Sequence, residues 1–115
     1  MNYEEIPIDP IAISDWMRKH TDDLANAKAN RYYLEHFTDS LKARLMKEAM
    51  LAGEKTIAGQ ERYAQGHNDY HQHLLGIKEA IAIEEKMKWL MLTAQSKIEI
   101  WRSMESSKRA EMQMI

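Results

Sequence analysis

The chain has 115 residues, of which 44% are hydrophobic and 30% charged, and its formal net charge is −2. That is one domain's length and a folding composition. With no cysteine present, disulfides, cysteine-ligated zinc and thiol nucleophiles are excluded. The near-neutral charge gives no bulk attraction to nucleic acid or anionic membrane.

Residues 1–8 are acidic and read as a flexible tail. No signal peptide is visible there, and the longest apolar run, Trp89-Leu90-Met91-Leu92, is far too short to span a bilayer. Cytoplasmic residence is the expectation. Asp9-Pro10 then starts a helix: aspartate accepts orphan amides, and proline lacks the amide that would be orphaned. Both prolines lie in the first ten residues, and the chain has no valine. The breakers and strand formers are therefore scarce, and the class reads as all-α.

From about residue 10 to 52 apolar side chains recur at gaps of mostly three or four: Ile13, Trp16, Met17, Leu24, Ala27, Leu34, Phe37, Leu41, Leu45, Ala49 and Ala52. His20, Arg31, Thr38 and Glu48 interrupt the seam. A helix of that length runs to roughly 60 Å, which is coiled-coil-like. Gly53 is a C-cap candidate. Residues 53–66 hold three of the four glycines and form the connection, with a possible short helix from Ile57 to Gln65.

A second long helix is expected from about 67 to 112, capped by Asn68 or Asp69. Its stripe is Tyr70, Leu74, Ile77 and Ile81, then Met87, Leu90, Met91, Ala94, Ile98, Trp101 and Met104, with a shift where Glu84, Glu85 and Lys86 intervene. Over 87–94 it broadens to most of the circumference. Two such helices fold back as a long antiparallel helical hairpin, one domain over 9–115. A lone hairpin leaves apolar surface wet, so a helical-bundle homo-oligomer is expected, a dimer above other states. The self-association residues expected are Trp89, Leu92, Ile98 and Trp101.

Three of the five histidines fall in His67-Asn68-Asp69-Tyr70-His71-Gln72-His73. His67 and His71 share a helix face and are the metal candidates, but the glutamate of an HExxH site is missing and no third ligand is evident. Polar residues at a helix start explain them as well. Glu84–Lys88 and Glu105–Arg109 read as solvated helix pairs worth about 0.3–0.5 kcal/mol each. No catalytic residue and no cofactor is expected. Arg31, Lys42, Arg44 and Arg102 are the candidate contacts to a partner or to nucleic acid, with mixed charges around them.

Gln60-Glu61-Arg62-Tyr63-Ala64, Tyr70, Leu74-Leu75, Lys88-Trp89-Leu90, Ile98-Glu99-Ile100-Trp101-Arg102 and Glu105 together resemble small phage- or prophage-encoded helical proteins found among recombination and replication genes. The resemblance covers residues 60–105 and transfers no functional residue. It implies a non-enzymatic accessory protein acting by protein–protein contact on a phage or host factor. Direct DNA binding, single- or double-stranded, is the first alternative, and metal binding through His67 and His71 the second.

Overall fold

The computed structural model describes residues 6–114. Among them are three helices and no strand: α1 (Pro10–Leu51), α2 (Ile57–Gly66) and α3 (Asn68–Gln113). The fold is all-α, a long helical hairpin with a short helix in its connection.

Each helix end has a local cause. At the start of α1 the Asp9 carboxylate accepts from the Ala12 amide at 3.0 Å, and the Asp9 carbonyl from Ile13 at 2.8 Å. This is the cap expected from Asp9-Pro10. At its end the Glu54 amide donates to Ala49 O and the Gly53 amide to Met50 O. That pair of bonds is a Schellman closure, and it needs the positive φ of 108° that Gly53 adopts. Thr56 caps α2, its hydroxyl accepting from the Gly59 amide at 3.0 Å. The cap of α3 is His67 rather than Asn68 or Asp69. Its Nδ1 accepts from the Asp69 amide at 3.0 Å, and the two expected residues become the first two of the helix.

Both long helices bury a strict alternation of three and four. In α1 the inward positions are Ile13, Met17, His20, Leu24, Ala27, Arg31, Leu34, Thr38, Leu41 and Leu45; in α3 they are Tyr70, His73, Ile77, Ala80, Glu84, Met87, Met91, Ala94 and Ile98. This is a heptad seam. The expected shift between Ile81 and Met87 is absent. Ala80 and Glu84 carry the seam through, and Ile81 stays outside it.

The chain divides into two compact units. One is Asn26–Glu84. Its core is Leu41, Leu45 and Ala64, with Phe37, Met46 and Tyr70 packed against them. Here α2 lies on α1: Ala64 is fully buried, and the Tyr63 hydroxyl donates to Glu48 at 3.1 Å. Contacts between the long helices pair rising numbers in α1 with falling numbers in α3, Arg31 with Glu84 and Thr38 with His73, so they run antiparallel.

The other unit takes the chain up to Ala25 and again from Glu85. Ile6, Ile13 and Ala94 form its core, with Trp16, Met17, Leu90 and Ile98 around them. The expected loose tail is corrected at its inner end. Ile6 is buried, and Lys97 Nζ donates to its carbonyl at 2.9 Å. Residues 1–5 of that expected tail lie outside the described residues.

Candidate interaction surface

The polar interruptions of the α1 seam are met by polar partners. Arg31 stands opposite Glu84, donating to its carboxylate through Nε and, at 3.4 Å, through a terminal nitrogen. Its other terminal nitrogen reaches Glu35 at 2.9 Å. Glu84 is 2% exposed. A carboxylate that deep stays charged only if matched, and the guanidinium fork supplies the match. The hydrogen bond to Glu84, then that to Glu35, hold the Arg31 pKa above its already high ordinary value. Thr38 Oγ1 lies 3.0 Å from His73 Nε2, and His73 also meets the edge of Phe37. Within its own helix His20 pairs with Asp23 at 3.0 Å and lies tilted against the Trp16 ring. Glu48 accepts from Tyr63. His20, Arg31 and Thr38 are thereby held half-buried, while Glu48 is an exposed acceptor.

Several expectations change with this. Glu84 is not solvated as expected: its carboxylate is buried and held by Arg31. Arg31 drops out of the contact set, because two carboxylates hold its guanidinium. Of the other three, Lys42 faces Glu61 at 3.9 Å and Arg102 pairs with Glu99 at 3.3 Å, while Arg44 is exposed. Ile98 drops out of the self-association set, because it packs on the Ile6, Ile13 and Ala94 core. The metal candidates separate by role: His67 lends Nδ1 to the helix cap, His71 is exposed, and no group of three ligating side chains occurs among the described residues.

Among the outward side chains of α3 several are large and apolar. Trp89 is 66% exposed, Leu92 50%, Ile100 60% and Trp101 44%. Leu92, Gln95, Ser96, Glu99 and Ile100 line an open groove of about 620 Å³. A smaller cleft of about 260 Å³ is lined by Ile8, Lys97, Ile100, Trp101 and Met104. Ile100 belongs to both, so the surface is continuous along this part of α3. Every seventh residue of the back row, Trp89, Ser96, Ser103 and Ala110, is exposed and uncharged. The outer row of a helix whose inner face is filled ordinarily carries charge.

No family model, curated protein or solved structure matches the chain. No helix among the described residues is long and apolar enough to cross a membrane. The surface itself is an open groove and a smaller cleft lined by apolar side chains together with Gln95, Ser96, Lys97 and Glu99.

Ile100 and Ser96 were missed by the sequence reading. The signal for Ser96 was the run of uncharged residues at seven-residue spacing behind Trp89; Ile100 lies outside that row, one turn beyond Ser96.

Proposed function

We propose that this is a non-enzymatic helical interaction protein that self-associates and works through the outward face of α3. The observation that carries the reading is the exposure of Trp89, Leu92 and Ile100 on a helix whose inward face its own hairpin already fills. Contiguous apolar side chains of this size are costly to leave in water and mark protein contacts. The resemblance of residues 60–105 to phage helical proteins adds a setting: an accessory to DNA recombination or replication, or action on a host factor, in the cytoplasm. The proposal assigns no catalytic group and no cofactor.

Direct DNA binding is the weaker reading. Three of its four candidate cations face carboxylates, which leaves little to displace counterions from phosphate.

The test is affinity capture of the whole chain from a bacterial lysate beside Trp89→Ala, combined with light scattering. Self-association at tens of micromolar, or a captured protein lost in Trp89→Ala, supports the reading. A strictly monomeric mass with identical captures by both forms sinks it.

A further inference from the structure

We infer that the buried Arg31–Glu84 pair selects the register of the hairpin. It holds α1 and α3 in the one alignment, out of several that the apolar seam residues would accept, in which the two charges meet. Both residues lie in the unit Asn26–Glu84.

A seam that repeats every seven residues does not by itself fix an alignment. When α3 slides one heptad along α1, inward positions again face inward positions. Leu34, Leu41 and Leu45 on one helix and Tyr70, Ile77 and Ala80 on the other are apolar, so they pack after such a slide much as before. Hydrophobic burial is non-directional, and it separates these alignments weakly.

The polar layers separate them strongly. A slide of seven residues takes Glu84 about 10 Å away from Arg31. In one direction Arg31 then faces Ile77. In the other, Thr38 falls between Ala80 and Glu84, and His73 faces Leu45. Either way a carboxylate that is 2% exposed loses the guanidinium that holds it. Burying a charge without its partner is strongly destabilising, and a neutral seam carries no such penalty. Single polar residues in a coiled-coil seam set register by this means, at a cost in stability.

The connection is the rival for this role. α2 is seated on α1 through Ala64 beside Leu45, and α3 begins two residues after α2 ends. That seat is small, with Ala64 the one buried residue of α2. Arg31 lies about 20 Å along α1 from Leu45, so its pairing aligns a part of the hairpin that α2 does not touch.

The chain has no cysteine, so introduced cysteine pairs report register directly. Leu34 and Ala80 lie between the Arg31–Glu84 and Thr38–His73 layers, and Leu34→Cys with Ala80→Cys reads the native alignment. Ala27→Cys or Leu41→Cys, each with Ala80→Cys, reads a slide of one heptad in either direction. With Arg31 and Glu84 in place, mild oxidation is expected to close an intramolecular disulfide, seen by gel mobility, in the first pair alone. With Arg31→Met and Glu84→Met together, closure in the slid pairs is expected to rise by about tenfold or more while helicity by circular dichroism is kept. Glu84→Gln retains the side-chain shape and removes the charge, and is expected to raise closure in the same pairs. Slid pairs that stay open in both variants, as they do with Arg31 and Glu84 present, would overturn the inference and assign the register to the seat of α2.

Discussion

Glu84 lies between Ala80 and Met87 in the α3 seam, a place where its neighbours one turn away are apolar and buried. Removing Arg31 takes the guanidinium fork from a carboxylate that stays buried, and breaking a buried pair from one side is far costlier than removing both partners. Arg31→Met is therefore expected to lower the thermal midpoint, and adding Glu84→Met to recover roughly half the loss or more. Equal midpoints for the single and double variants would refute that. Tyr63 gives a pH prediction. Partial burial first, then its hydrogen bond to Glu48 and the charges of Glu48 and Asp69, raise its pKa above the ordinary value of 10.0. A phenol whose folded pKa lies above the unfolded one adds stability that is full below about pH 10 and is lost as pH rises through the folded value. Tyr63→Phe is expected to flatten this alkaline fall in denaturation midpoint. The Arg31–Glu84 pair was hidden in the sequence for a physical reason. A lone charge in a stripe looks like an interruption, and only antiparallel register shows that two interruptions, fifty-three residues apart, coincide.

Elements were far more readable than pairings. Asp9-Pro10, Gly53 and the glycine-rich span fixed the start of α1, its end and the connection, because caps act through bonds two to five residues apart. The cap of α3 escaped because histidine is a rare capping residue, and Asn68 and Asp69 beside it are common ones. The docking of α2 was not legible either: ten residues with a modest apolar face say nothing of what they cover. Its seat is Leu45, 2% exposed, beside Ala64. Leu45→Ala is expected to cost about 2–5 kcal/mol by calorimetry. A loss under about 1 kcal/mol would mean that the α1–α2 contact relaxes to fill the space.

For the molecule as a whole, charge decides which partners remain. A net charge of −2 with most candidate cations matched gives a surface of mixed sign. Gel-shift titration at low salt is expected to show no complex with single- or double-stranded DNA at micromolar protein. A shift that weakens steeply with salt would instead return Arg44 and its neighbours to the centre of the account. The surface was half visible in the sequence. Broadening over 87–94 pointed to Trp89 and Leu92, but which apolar side chains stay outside depends on the inward seam, so Ile98 and Ile100 could be told apart only once the helix was placed.

The strict alternation of three and four in α3 has a consequence on the side it does not touch. A straight helix drifts by about 20° per heptad against a seven-residue repeat, whereas winding at 3.5 residues per turn cancels the drift. Pinning the inner seam at that winding aligns the outer row as well, so Trp89, Ser96 and Ser103 stay in file along the axis instead of spiralling away. Deleting Thr93 would leave all three of those outer side chains in the chain and still turn Trp89 about 100° away from the file of Ser96 and Ser103.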